Sequence, residues 1–317
     1  IPGKVNFLQM GRYGEFSEQT YRNNFENETF DWFAFNEHLI RKTLTGKFLA
    51  IAVDPSFLPK SGKKTPWIGR FWSGVAGEMK RGQEVFGVGV IDVDSHDCMT
   101  LSAIQTPDTK SLEEMDYNLV DWYCQNLIIL KEKLKKISRL IVADAFFSKE
   151  TFVNPLLKEG FHVISRLRND AVLFYPTLQK PTGKRGHPKW YDGKVNFSSL
   201  DHSRCEEAEV DKRFIKVAVW YPDEEDRTKW QIYFSTDDAM SVKDIIDCYK
   251  TRFQLEFCFR DGKHYAGLND CQSTDLRKLE FHRNASFASV NIAKAACKEL
   301  GMPFSISSCK SIIHNAY

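Results

Sequence analysis

At 317 residues the chain is long enough for one large domain or two ordinary ones. Its 42% hydrophobic and 13% aromatic content fits a well-packed core, and no apolar run of 18 residues is present to cross a membrane as a helix. The formal net charge of +2 does not by itself argue for nucleic acid, and the eight cysteines and eight histidines contain no C-x-x-C or H-x-x-x-H pair, which excludes the common zinc spacings.

Residues 1–45 read as a helical segment from the spacing of Phe30, Trp32, Phe33, Phe35 and Leu39. The opening at Ile1 rather than Met raises the expectation of sequence upstream. From Phe48 the apolar run Phe-Leu-Ala-Ile-Ala-Val-Asp predicts a strand buried on both faces that ends at Asp54. A basic stretch follows, Lys60, Lys63, Lys64, Arg70, Lys80 and Arg81, with only Glu78 against it. Ser61-Gly62-Lys63-Lys64-Thr65 does not make a phosphate-binding P-loop, because Phe57 stands where the first Gly belongs.

Val85–Val93 and Cys98–Ile104 predict two more strands, with a turn at Ser95-His96-Asp97. Leu112–Leu134 has helical periodicity, and Arg139–Asp144 is a short strand ending in a second acid. Ser148–Lys158 reads as a helix capped by Ser148, and Phe161–Leu167 as a strand. A second basic stretch runs from Arg166 to Lys194, opposed by Asp170 and Asp192. Prolines and glycines then break up the chain, and strands are expected at Arg213–Tyr221 and Lys229–Ser235, so 169–240 reads as a β-rich insertion. Helices resume at the candidate cap Ser241, and another spans Asp275–Leu300. Buried strands alternating with helices predict an α/β layered domain.

The run from Tyr249 to Lys263 carries the chemistry. As one helix it would place Tyr249, Arg252, Glu256 and Lys263 within an arc of roughly 60°, flanked by Phe253, Leu255, Phe257 and Phe259. The opposite arc is already polar or small, so the stripe is a second polar side, and a carboxylate beside cations there suggests a metal and phosphate site. Asp54 and Asp144 each close a strand in this reading, and the ends of adjacent strands are where open α/β sheets build sites. Singly, Asp54 reads as well as a turn residue before Pro55, Asp144 as a strand-end cap and Glu256 as an ion-paired helix acid. Together, three carboxylates call for a hard cation such as Mg²⁺ or Mn²⁺. Two such ions about 3.5–4 Å apart serve phosphodiester cleavage.

Tyr249-x-x-Arg252-x-x-x-Glu256-x-x-x-x-x-x-Lys263 resembles the Y-R-E-K signature of the DDE transposases of the insertion-sequence-four family. Asp54-Pro55-Ser56-Phe57 and Ala143-Asp144-Ala145-Phe146 are further landmarks, and the likeness spans Lys47 to Leu300. The resemblance implies an α/β fold with a ribonuclease H-like catalytic core, 46–168 with 241–317, interrupted by the β-rich insertion. It implies Asp54, Asp144 and Glu256 as catalytic ligands of two Mg²⁺ or Mn²⁺ ions, and Tyr249, Arg252 and Lys263 as contacts to DNA phosphates. Trp230 matches a base-stacking Trp of relatives that cut through a DNA hairpin, or else packs in the core. Lys60, Lys63 and Lys64 are assigned to the DNA backbone, with Arg166 and Arg168. Lys184 and Arg185, in the basic stretch Gly183–Lys189, would follow a groove or form an ordinary surface loop. The expected function is cut-and-paste transposition on double-stranded DNA by a homodimer at paired ends, in the cytoplasm and nucleoid of a bacterium, with no membrane partner. A two-metal nuclease without strand transfer, or a transposase-derived DNA-binding protein, is the alternative. One departure is that only 53 residues precede Asp54, where relatives carry a longer helical region.

Overall fold

The computed structural model describes residues 6–26, 29–168, 171–177, 189–196, 207–210, 213–221 and 229–316. In chain order, helices α1 (Phe7–Tyr13), α2 (Glu18–Phe25) and α3 (Trp32–Thr43) lead into strands β1 (Leu49–Pro59), β2 (Gly69–Ser73), β3 (Glu78–Asp92) and β4 (Asp97–Gln105). Helices α4 (Thr109–Glu114), α5 (Leu119–Ile129) and α6 (Lys131–Leu134) precede β5 (Leu140–Ala143), α7 (Glu150–Lys158) and β6 (His162–Leu167). Strands β7 (Phe174–Pro176), β8 (Tyr191–Lys194), β9 (Glu207–Val210), β10 (Arg213–Trp220) and β11 (Gln231–Ser235) come next. Four helices close the chain: α8 (Val242–Thr251), α9 (Gln254–Tyr265), α10 (Leu276–Glu299) and α11 (Ile306–Ala316).

The chain forms two compact units, Ile1–Trp122 with Phe253–Tyr317, and Tyr123–Arg252. In the first, β3 pairs antiparallel with β1, β2 and β4. Helix α9 packs on β1, β3 and β4, and α10 packs on β4, α3 and α9. Missing side chains at two positions let α9 approach: a Cβ on Gly87 would lie 2.5 Å from Phe259 Cζ, and one on Gly89 would lie 3.0 Å from Leu255 Cδ1. Phe259 continues edge-to-face onto Phe287 of α10, with ring centroids 5.3 Å apart.

Among the described residues β4 pairs only with β3, and helix side chains occupy its other edge. Asn291 of α10 donates to the Thr100 carbonyl at 2.7 Å and accepts from the Thr100 amide at 3.2 Å. One heptad earlier, Asn284 brackets Ala103 in the same way, at 3.1 and 3.0 Å. Asn36 of α3 donates to the Leu101 carbonyl at 3.0 Å, and Lys294 donates to the Cys98 carbonyl at 2.7 Å. Seven-residue spacing on α10 brings both asparagines to one face, so buried edge groups that would cost about 1–3 kcal/mol each if unpaired are satisfied.

The second unit holds a mixed, open sheet. β5 and β6 run parallel, β11 adds antiparallel to β6, and β10, β9, β7 and β8 continue the sheet antiparallel. Helix α8 packs on β5, β6, β10 and β11, and α7 on β6. Tyr123, Phe147 and Phe152 build a buried aromatic core with centroids 5.5 and 4.7 Å apart. Parallel and antiparallel strands flanked by helices make this an α/β fold.

Several local expectations are corrected. β1 does not end at Asp54 but runs on to Pro59, still in register with Gly82. Pro55 and Pro59 share a parity, so both missing donors face one edge and the ladder to β3 survives. The periodic stretch 112–134 is three helices, because Asp116 adopts a positive φ of 58° and ends the first; Asn118 then accepts from the Asp121 amide at 3.0 Å and starts the second. Helix α7 starts after Lys149, and the Ser148 hydroxyl donates to the Ala145 carbonyl instead of capping it. Ser241 does cap α8, accepting from the Asp244 amide at 3.1 Å.

Candidate active site

The run from Tyr249 to Lys263 is two helices. α8 ends at Thr251 and α9 starts at Gln254, so Arg252 and Phe253 form a break. Thr251 explains it in part: its hydroxyl donates back to the Asp247 carbonyl at 2.8 Å, which bends helices. The break coincides with the division between the units, so Tyr249 and Arg252 lie in one unit and Glu256 and Lys263 in the other.

In the first unit Asp54 faces α9. It stands opposite Gly87 in the β1–β3 register, and directly opposed residues share a face. On Gly87 that face meets Phe259 of α9. Ser56, two residues on, shares the face and accepts a hydrogen bond from Lys263 Nζ at 2.8 Å. Burial pushes the Lys263 pKa down, and the Asp54 carboxylate opposes that shift. Glu256 is half-buried in the first turn of α9, two turns before Lys263 on the same stripe. The first unit therefore holds two of the expected acids and one cation.

In the second unit Asp144 follows β5 directly. Its Oδ1 accepts from the Phe146 amide at 2.9 Å, starting a short 3₁₀ turn. The Ser165 hydroxyl on β6 donates to the Asp144 carbonyl at 2.7 Å and fixes the backbone there. Tyr249 of α8 lies against Tyr233 of β11, centroids 4.6 Å apart, and the Arg252 guanidinium lies 5.5 Å from the Tyr249 ring centroid. Arg166 stands opposite Tyr233 in the β6–β11 register. Burial raises the Tyr249 pKa; Arg252 and Arg166 pull it down and Asp144 pushes it up, so all three lie around this phenol. Burial likewise lifts Tyr233, to about 12, with Tyr249 adding and Arg166 opposing. A neutral phenol between a carboxylate and two guanidiniums is a hydrogen-bond donor set beside a cationic one, suited to phosphate oxygens.

The other expected residues are dispersed. Lys60 is half-buried and donates to the Cys271 carbonyl; burial lowers its pKa, with Arg283 adding. Lys63 and Lys64 are exposed, as is Arg168. Trp230 lies just before β11, half-buried, and its indole N–H makes no hydrogen bond among the described residues. Lys184 and Arg185 lie outside the described residues. Ser56, Tyr233 and Ser165 were not anticipated; only Ser56 had a signal, its two-residue spacing from Asp54. Among the described residues no group of three His, Cys, Asp or Glu side chains is gathered closely enough to hold a metal ion.

No curated protein matches the chain. A sequence model described as "Transposase DDE domain" matches residues 120–292, more than half of the chain. The matched segment contains Asp144, Tyr249, Arg252, Glu256 and Lys263 and starts after Asp54. By that match, the chain belongs to the transposase DDE domain family.

Proposed function

We propose that this protein is a metal-dependent cut-and-paste DNA transposase of the insertion-sequence-four kind, with a ribonuclease H-like core interrupted by an insertion over 169–240. The observation that carries the reading is the shared composition of two clusters, one in each unit. Each sets a strand acid beside signature residues: Asp54 with Lys263, and Asp144 with Tyr249 and Arg252. Asp54, Asp144 and Glu256 are hard oxygen donors, the set that Mg²⁺ or Mn²⁺ takes, and are the residues assigned to hold two such ions. Bound there, the ions would lower the pKa of a water and neutralise charge on the leaving oxygen.

The chain's own residues orient the DNA. Arg252 grips phosphate oxygens in a fork, Lys263 as a point charge, and the Tyr249 hydroxyl donates to a third oxygen. Water attacks phosphorus, the P–O3′ bond breaks, and a free 3′-hydroxyl remains. That hydroxyl then attacks a target phosphodiester in line, forming one P–O bond as another breaks. Paired ends call for a homodimer on double-stranded DNA, and Trp230 stacks a displaced base if excision passes through a hairpin.

The test is cleavage of a duplex carrying the element's own end in Mg²⁺. Asp54→Asn, Asp144→Asn and Glu256→Gln should each abolish product while leaving DNA binding intact; wild-type cutting by any of them sinks the assignment. Transfer of a labelled 3′ end into a plasmid separates a transposase from a nuclease.

A further inference from the structure

The basic stretch after β1 is more than a charged loop. β2 and the first residues of β3 form a hairpin closed by Gly74-Val75-Ala76-Gly77. Gly77 takes a positive φ of 64°, and its amide donates to the Ser73 carbonyl at 2.8 Å. The register opposes Arg70 to Arg81 and Trp72 to Met79, and the period of two puts all four on one face. That face is exposed: Trp72 at 57% and Met79 at 45% of their full surface. The other face carries Phe71 and Ser73, both buried, and the acids of this stretch: Glu78 opposes Ser73, and Asp108 lies beside Gly69.

Two guanidiniums directly opposed on a ribbon repel each other. Arg70 donates to the Met79 carbonyl at 3.0 Å and Arg81 to the Gly62 carbonyl at 2.9 Å, and among the described residues neither forms an ion pair. The Arg81 bond also holds the loop bearing the exposed Lys63 and Lys64 beside the ribbon. Two guanidiniums thus flank an exposed Trp and Met, two exposed lysines follow Gly62 on the adjoining loop, and none of the ribbon's own carboxylates lies on this face.

We propose that this hairpin face is a duplex-DNA binding surface separate from the Asp54–Lys263 site. Its occupant is the sugar–phosphate backbone bordering a groove, since a two-stranded ribbon fits the major groove. The guanidiniums take phosphates on either side, and Trp72 and Met79 lie against the sugars. Charge complementarity selects a polyanion, and DNA as that polyanion rests on the transposase reading above.

The experiment titrates the full chain with a labelled duplex of random sequence at several salt concentrations. Arg70→Ala/Arg81→Ala should weaken binding about tenfold at physiological salt and lower the salt slope by about two, from roughly 0.9 per phosphate contact. Arg70→Lys/Arg81→Lys should restore the slope, and Trp72→Ala should weaken binding while leaving it unchanged. Unchanged affinity and slope in the double alanine variant, with the unmodified chain still binding, overturns the hairpin surface and leaves the catalytic reading standing. No binding by the unmodified chain overturns both. A change in oligomeric state without a change in salt slope reassigns the face to self-association and also overturns the proposal.

Discussion

Gly87→Ala tests how α9, which carries Glu256 and Lys263, is seated on the sheet. The new methyl would lie 2.5 Å from Phe259 Cζ and 3.0 Å from Cε2, where ordinary contacts begin at 3.4 Å. Roughly 1 Å of separation must be found. Phe259 cannot supply it by rotating freely, because it is 3% exposed and packed on Phe287. Overpacking of this kind costs about 1–3 kcal/mol. Replacing Gly by Ala returns about 0.4–1 kcal/mol by restricting the unfolded chain. The clash wins, and a net loss of about 1–2 kcal/mol is expected from urea unfolding. Gly74→Ala is the control: its Cβ meets nothing within 4 Å, so only the favourable term applies. Adding Phe259→Leu to Gly87→Ala should recover part of the loss, a non-additivity expected of contacting residues. DNA cleavage should fall further than stability does, since a 1 Å misplacement of an active group costs about a hundredfold. A Gly87→Ala chain as stable as the parent would refute direct seating of α9 on β3.

Burial holds the His282 pKa below its ordinary 6.5; Arg283 and Lys60 add to the shift, while the Gly267 carbonyl and Asp270 oppose it. As pH falls through 6.5 the unfolded chain takes up the proton first, so stability drops until the folded site also protonates. Urea unfolding above and below that pH should show the drop in the parent and a smaller one in His282→Gln; equal slopes count against a buried neutral imidazole. Asn291→Ala orphans both backbone groups of Thr100 and costs about 3 kcal/mol. Hydrogen exchange at the Thr100 amide should accelerate, and unchanged protection would contradict the edge closure. The sulfurs of Cys297 and Cys309, on α10 and α11, lie 3.1 Å apart. Mild peroxide should join them in one intramolecular disulfide, two thiols yielding their hydrogens to form water, and peptide mapping that finds both thiols free would argue against that contact. Closing so short a loop stabilises the fold by about 3 kcal/mol in the chain-entropy model.

The strands that place Asp54 and Asp144 were legible because continuous apolar runs have few alternatives, and the Asp54 run differs only in its length. Sequence places Pro55 and Pro59 where a strand should stop, but does not reveal that pairing with β3 continues through both. The stripe from Tyr249 to Lys263 was legible as spacing and wrong as a single helix: the Thr251 back-bond is a local competition that periodicity does not register. β2 went unread because Arg70-Phe71-Trp72-Ser73 shows no polar–apolar alternation and lies in a stretch dominated by lysines and arginines; only its burial alternates, with Phe71 and Ser73 inside and Arg70 and Trp72 outside. Ser165 joins Asp144 through the β5–β6 pairing and Tyr233 joins Tyr249 through the packing of α8 on β11, long-range facts with no sequence signature.

The asparagines along β4 have a consequence for how this molecule meets others. A sheet edge normally invites another strand, whether from a peptide, a second copy or a fibril. Here the invitation is withdrawn by side chains of the molecule itself, which mimic the missing neighbour's backbone. Growth of that sheet by strand addition is closed off at β4, so a partner that approaches this edge must be met side chain to surface rather than ladder to ladder.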